Sequence, residues 1–377
     1  MRNNWQIKKL EDVLEYEQPS KYIVKSTKYS DDYEIPVLTA GKSFVLGKTK
    51  EKNGIFPQDK LPVIIFDDFT TASKFVDFTF KVKSSAMKIL HPVKNIADVR
   101  FLFYFMQNIN FDHTGIHKRY WISEYSKTEI LLPPLSEQKQ IVKILDEAFE
   151  KIEKAKKNTE RNLQNSKELF ESYLNNIFTN PGKDWGESTL GEIYDVRDGT
   201  HDSPRYQKEG FALITSKNLK NSLIDYKNIK YISEKDYINI NKRSKVNQGD
   251  ILFAMIGTIG NPVVIINTPD FAIKNVALFK IGENQDSHFL KYYLDSRMVI
   301  DKMLSEARGT TQKFVGLGYL RNFPIKIPDL KKQKAVAKKI SELSEKTKKL
   351  EEIYQKKLED LEELKKSILN KAFSGEL

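Results

Sequence analysis

The 377-residue chain has no cysteine, which removes disulfides and thiolate metal centres from consideration and suits a reducing compartment. No apolar run approaches the ~18 residues of a membrane span. The opening stretch MRNNWQIKKLEDV carries no apolar signal core, so the expected location is the cytoplasm, with no membrane partner. A lysine-rich tail is missing too. The net charge of +11 and pI near 9.2 permit a nucleic-acid partner, but such binding has to come from folded surfaces.

Catalytic motifs are also lacking. PVLTAGKS mimics a phosphate-binding loop, but Pro36 stands where that motif requires its first glycine, so the backbone cannot wrap a phosphate. Asn261, Pro262, Val263 and Val264 distantly resemble the NPPY of adenine methyltransferases, without the second proline or the stacking aromatic. A turn between strands is the plainer expectation there. His113 and His117 have the spacing of a shared metal on a helix, yet Gly115 between them favours a polar loop. Asp67 and Asp68 suggest magnesium, but an acidic pair ending a strand more often shapes a turn or meets a lysine. No catalytic, cofactor-binding or metal-ligating residue is assigned.

What the chain does contain is a repeat. At an offset of 195 positions, residues 133–178 match 328–373 without a gap, with 16 of 46 positions identical. Pro133, Leu135, Gln138, Leu163, Leu174 and Phe178 face Pro328, Leu330, Gln333, Leu358, Leu369 and Phe373. After the opening prolines both runs are free of Gly and Pro and rich in Lys, Glu and Leu, so both read as long helices. Apolar or small residues recur at 141, 145, 148, 152, 155 and 159, and again at 336, 340, 343, 347, 350 and 354. That 3.5-residue spacing is a coiled-coil seam. In each run the next seam residue, Leu163 or Leu358, comes four later again, which predicts a shared stutter.

A mixed segment precedes each helix. Trp5, Leu10 and Val13 match Trp185, Leu190 and Ile193 in spacing, and strand-like runs follow: IPVLTAGK beside FALITSKN, PVIIF beside DILFAMIG. FLFYFM and LKYYLD fall within expected helices near 97–108 and 286–304. The expected division is a mixed domain at 1–132, a helix at 133–180, a second domain at 181–327 and a final helix at 328–377. Lys and Arg outnumber Asp and Glu by four in each mixed domain, while 133–180 is balanced. The fold class is therefore α+β. Two globular mixed α/β domains alternate with two long helices, which pair as an antiparallel coiled coil in a pseudo-twofold repeat with the domains at opposite ends.

Several motifs together resemble the DNA-specificity subunit of type I restriction-modification systems over essentially the whole chain. Pro133, Pro134, Leu135, Glu137 and Gln138 are similar to that family's PPLxEQ helix opening, and Asp250 to Phe253 with Gly257 to Gly260 to its DILF…GTxG strand pair. The loop Asp198 to Pro204 and the ending Ala372 to Leu377 also resemble the family. IIFDDFTTASKFVDFTFKVKSSAMKIL, at 64–90, is similar to a different recognition-domain subtype, so the two half-sites are expected to differ. One departure is Lys332, which stands where the family places an acidic residue before the glutamine.

The resemblance implies a non-catalytic subunit whose two target-recognition domains each read one half of a bipartite site in double-stranded DNA. It also implies two modification (methyltransferase) subunits as partners, using S-adenosylmethionine. Two restriction-translocation subunits, using ATP and Mg2+, are optional further partners. None of these cofactors is expected in this chain. Base reading needs side chains that reach base edges, while phosphate contacts fix register. In the first domain the candidate DNA-binding loops hold Lys42, Ser43, Lys48, Lys50 and Lys52, then His117, Lys118, Arg119 and Tyr120. In the second they hold Thr200, His201, Ser203 and Arg205, then Lys217 and Asn218, then Arg308, Gly309, Thr310, Thr311, Gln312 and Lys313. Arg119, Arg205, Asn218 and Gln312 have the bidentate geometry suited to guanine or adenine. Two other readings stay open at the level of sequence. One is a coiled-coil adaptor whose domains bind proteins; the other is a self-contained restriction-modification enzyme.

Overall fold

A computed structural model describes residues 4–39, 43–111, 119–310 and 312–377. By contacts the chain divides into two units, Met1–Glu160 with Lys356–Leu377, and Arg161–Gln355. Unit 1 holds β1 (Gln6–Lys9), α1 (Leu10–Val13), β2 (Leu14–Glu17), β3 (Ile35–Leu38), β4 (Val45–Thr49), β5 (Val63–Asp67), β6 (Ser73–Val76), β7 (Lys81–Val82) and β8 (Met87–Pro92). It continues with α2 (Val99–Asn108), α3 (Tyr120–Ser123), β9 (Glu129–Leu132) and the first part of α4 (Leu135–Thr179).

Unit 2 holds β10 (Gly186–Thr189), α5 (Leu190–Ile193), β11 (Asp195–Asp198), β12 (Phe211–Thr215), β13 (Leu219–Lys220), β14 (Leu223–Ile224), β15 (Lys230–Ile232) and α6 (Glu234–Ser244). Then come β16 (Ile251–Ala254), β17 (Gly260–Val264), β18 (Phe271–Lys274), β19 (Val276–Lys280), α7 (Ser287–Asp295), α8 (Arg297–Glu306), α9 (Leu317–Arg321), β20 (Pro324–Ile327) and α10 (Leu330–Ser374).

The two units repeat one another in their main sheets, and unit 2 adds the hairpin β13-β14. The order β2-β8-β5-β6 in unit 1 is β11-β19-β16-β17 in unit 2, and β4-β3-β7 is β15-β12-β18. In both three-stranded sheets the middle strand pairs antiparallel on one side and parallel on the other. A two-stranded ribbon, β1 with β9 or β10 with β20, brings the two ends of each domain together.

The central strands explain their own sequences. VIIF and ILFA are unbroken apolar runs because both faces of their sheets are covered. Ile64 and Phe66 enter one core with Phe101 and Leu102 of α2, while Val63 and Ile65 enter another with Phe56 and Phe80. Ile251 and Phe253 likewise face α7, and Leu252 and Ala254 face the opposite core. Alternate side chains of a strand point to opposite faces, so neither face tolerates a polar residue here. Asn261 to Val264 belong to strand β17 rather than to the turn expected between strands. Pro36 lies in β3, paired with β4, so PVLTAGKS leads into a hairpin and not into the helix a phosphate loop needs.

In unit 1 the long helices run antiparallel: Lys156 pairs with Glu362 at 2.6 Å, while Lys365 approaches Glu153 and lies over the Phe149 ring. In unit 2 the other halves of the same helices share a core through Leu174, Phe178, Ala337 and Ile340. The seam departs from its expected track at one place. Leu350 is 38% exposed, whereas Glu351 is half-buried, so the α10 seam runs 340, 343, 347, 351, 354, 358 and its stutter falls at 343–347–351 rather than at the expected 350–354–358. A helix of 3.6 residues per turn drifts against a 3.5 repeat, and here the drift turns the glutamate stem rather than the leucine toward the partner helix. Thr159 and Thr347 are tolerated on the seam because their hydroxyls donate to the Ala155 and Leu343 carbonyls one turn back.

The repeated helix opening has a structural cause. Gln138 is buried; its Oε1 accepts from Asp98 N–H at 2.7 Å and its Nε2 donates to the Ile96 and Pro133 carbonyls. Asp98 in turn caps α2, accepting from Arg100 and Phe101 N–H. Gln333 is also buried, accepts from Asp286 N–H at 2.9 Å and donates to the Pro328 carbonyl, and Asp286 caps α7. One glutamine thus fastens the start of each long helix to the capped start of its domain's main helix. At the far ends, Phe373 meets Phe101 and Phe105 edge-on, and Phe178 meets Phe289 and Tyr293 in the same way.

Candidate nucleic-acid interface

In unit 2 three loops converge beyond the open ends of β12 and β18. The first follows β11. Gly199 passes so close to the Ile273 carbonyl that a Cβ would sit 2.3 Å from its oxygen, so only glycine fits. His201 then lies between Asp198 and Asn275, with ring nitrogens 2.8 Å from an oxygen of each. Lys274, at the end of β18, donates to the His201 and Asp202 carbonyls and to Ser203 Oγ. Thr200 is half-buried beside it, and Arg205 is exposed.

The second loop follows β12, and the third is a tight turn from Arg308 to Phe314. Arg308 and Phe314 exchange backbone hydrogen bonds, and Gly309, at φ +96, leaves room for the Gln312 carbonyl. Gly257 N–H donates to the Lys313 carbonyl and Val315 N–H to that of Met255, which ties this turn to the end of β16. Between the second and third loops lies a cleft of about 490 Å3 lined by Lys217, Lys220, Lys227, Lys230, Tyr206 and Gln312, among others. Tyr206 is 46% exposed and Lys230 lies 5.9 Å from its ring centroid. Lys220 beside Asp225 holds that carboxyl below its ordinary range. The cleft is thus basic, with an aromatic face and an amide on its wall, a combination suited to phosphate and base edges.

The structure groups Lys217 and Gln312 and places Thr200, His201, Ser203, Arg205, Arg308, Gly309, Thr310 and Lys313 on the adjoining loops. Asn218 is a correction. It is 8% exposed, its Oδ1 accepts from Thr215 N–H and Oγ, and its Nδ2 donates to the Asp225 carbonyl, so both ends of its amide are engaged in shaping a turn and it is buried away from a base. Lys220, Lys227, Lys230, Tyr206, Lys274 and Asn275 were not anticipated. A signal for the lysines exists in KNLKNSLIDYKNIKY, four lysines interleaved with tyrosines.

In unit 1 Ser43, Lys50, Lys52 and Arg119 are exposed, and Lys48 Nζ lies 3.5 Å from the Asp31 carbonyl. Glu51, between the lysines, accepts from Ser26 and Lys25 N–H and meets Lys81; the Ser26 bond foremost keeps its carboxyl below the ordinary range. Tyr120 is the second correction. It is 1% exposed and packs edge-on against Phe111, so its side chain belongs to the core. Asp67 shapes the turn after β5 by accepting from Phe69 N–H and Thr70 Oγ, and Asp68 pairs with buried Lys88. Lys83, just past β7, donates to Tyr29 Oη and marks the edge that Lys274 marks in unit 2. Lys42, His113, His117, Lys118 and Thr311 lie outside the described residues.

Comparison with known proteins agrees with this geometry. The family model of the type I restriction modification DNA specificity domain matches residues 2–160 and again 182–360. The EcoR124I/EcoR124II type I restriction enzyme specificity subunit of Escherichia coli is 38% identical over 242 residues, 61% of this chain. That match spans 57% of the relative's own length. The MjaVIII specificity subunit of Methanocaldococcus jannaschii is 29% identical over 323 residues, 78% of this chain and 74% of that protein. A chain from a structure of complex assembly and conformational transition of the type I R-M system shares the fold. Its TM-score is 0.74 at 20% identity, over 100% of this chain and 99% of that one. The HsdS subunit from Thermoanaerobacter tengcongensis gives 0.61 at 18% identity, over 100% and 98%. With the specificity domain matched twice and the fold shared along its length, the chain belongs to the type I restriction modification DNA specificity family.

Proposed function

We propose that this protein is the DNA-specificity subunit of a type I restriction-modification complex and contributes sequence reading rather than a chemical step. Residues 1–132 and 181–327 serve as two target-recognition domains, each for one half of a bipartite duplex site. The helices at 133–180 and 328–377 set the unread spacer. The observation that carries the reading is one frame bearing two different surfaces: strand order, glutamine fastening and aromatic contacts repeat, while the loops at the open strand ends do not. Two half-sites of different sequence need that combination.

Two modification subunits supply methylation with S-adenosylmethionine; restriction-translocation subunits, which use ATP and Mg2+, are optional further partners. Outward-facing Ile144, Leu169, Ile353 and Leu364 on the long helices support docking of the modification subunits there. Among the described residues no helix is long and apolar enough to cross a membrane. Half-sites on one face of DNA stand roughly 10 base pairs apart, centre to centre.

A paired insertion tests the reading. Seven residues added to each long helix lengthen it by about 10 Å, equivalent to about three base pairs at ~3.4 Å each. The recognised spacer should grow by that amount, or binding should be lost. An unchanged spacer contradicts the role given to the helices.

A further inference from the structure

We infer that Gln312 is the side chain that reads an adenine in the half-site served by unit 2. The inference rests on the DNA-specificity reading and names one contact within it. Gln312 stands on the wall of the lysine-lined cleft, on a turn pinned to the end of β16 by backbone bonds at both Gly257 and Met255. Its side chain is exposed, and among the described residues its amide has no hydrogen-bond partner. The amide lies against Gly257, where a Cβ would come within 3.0 Å of Nε2. The backbone around Gln312 is therefore held, while its one donor-acceptor group is left open beside four cations.

The other amides in the cleft have their own explanations. Both ends of the Asn218 amide are bonded within its turn, and Asn275 Oδ1 is held by His201. Asn228 sits at φ +58, a left-handed conformation that asparagine tolerates better than most residues. Nothing in the backbone calls for glutamine at 312.

The chemistry selects the base. A glutamine amide offers one acceptor and one donor side by side, which match N6–H and N7 of adenine in the major groove. Guanine presents two acceptors, N7 and O6, at the same edge, so only one of the pair can form. The surrounding lysines are point charges suited to phosphates and carry no sequence information.

The test uses the full chain assembled with its modification subunits and a random duplex library, with selected sequences read by position. Wild type should select an A·T pair at one position of the unit 2 half-site. Gln312→Leu should lose roughly 10- to 100-fold of preference at that position and leave the other half-site intact. Gln312→Glu, which can only accept, should move the preference there to cytosine, whose N4 amino group donates. Lys227→Ala should instead weaken all sequences alike and lower the salt slope by about one. Undiminished preference in Gln312→Leu, or a unit 2 half-site without an A·T pair, overturns the inference and leaves the DNA-specificity reading standing. A wild-type complex without sequence preference overturns that reading as well.

Discussion

Gln138 accepts a hydrogen bond from the backbone N–H of Asp98 at 2.7 Å, joining the first turn of a 45-residue helix to the cap of the domain helix before it. Gln333 and Asp286 stand in the same relation at 2.9 Å. The helix opening is written twice because each domain needs the same fastening. Its glutamine is short of neither partners nor burial, and the prolines before it supply carbonyls that the amide can reach.

Replacing Gln138 or Gln333 by Ala should therefore destabilise the unit concerned by about 2–4 kcal/mol, because a buried N–H and buried carbonyls lose their partners. Chemical denaturation should report the loss. Hydrogen exchange should place it first at the start of α2 for Gln138→Ala and of α7 for Gln333→Ala. A change below about 0.5 kcal/mol, the level of an ordinary surface substitution, would contradict the fastening.

Glu17 is one of the carboxylates on which the acid stability of unit 1 depends. Its burial alone raises the carboxyl, but the hydrogen bond from Tyr22 Oη at 2.9 Å, followed by Lys60 and His91, outweighs this and holds it below the ordinary 4.5. For Tyr22, burial and the same bond push the hydroxyl up to about 12. Glu17 has the lower value when folded, so its contribution is complete above about pH 4.5 and is lost as pH falls through the folded value. Tyr22 has the higher value when folded, so its contribution is complete below pH 10 and is lost as pH rises toward 12. In Tyr22→Phe the Glu17 titration midpoint, followed by side-chain carboxyl NMR, should move upward. An unmoved midpoint would show that the bond is not what lowers it.

Lys274 orders the loop that follows β11. Lys274→Met removes its bonds to the His201 and Asp202 carbonyls and to Ser203 Oγ while keeping an apolar stem. The fold should be little affected. Duplex affinity at fixed salt should fall by about 2 kcal/mol, since the loop then has to be ordered on binding. Titration of a target duplex checks this, and unaltered affinity would remove Lys274 from the interface.

Much of this architecture is legible in the residues. The gapless match between 133–178 and 328–373 marks the paired helices, and the unbroken runs VIIF and ILFA mark strands covered on both faces. The interface is harder to read, for physical reasons. Tyr120 ends a basic run and looks exposed, yet its ring fills the core beside Phe111. Asn218 sits in a polar loop, but its identity answers to the turn at Thr215. The cleft lysines are spread over β13, β15 and the turns that follow β12 and β14, so only folding brings them together. Leu350 and Glu351 show a similar limit on the seam, where a one-residue rotation decides which side chain faces inward.

On the proposed reading this chain decides which DNA sequence is modified. The most direct measurement is genome-wide adenine methylation mapping in cells expressing the chain with its modification subunit, beside cells expressing that subunit alone. A split, asymmetric motif with a fixed spacer should appear only when the chain is present, and truncation of 181–327 should change one half of it. If no new motif appears although the two proteins copurify without DNA, the claim fails: the chain is then an adaptor that does not select the DNA sequence.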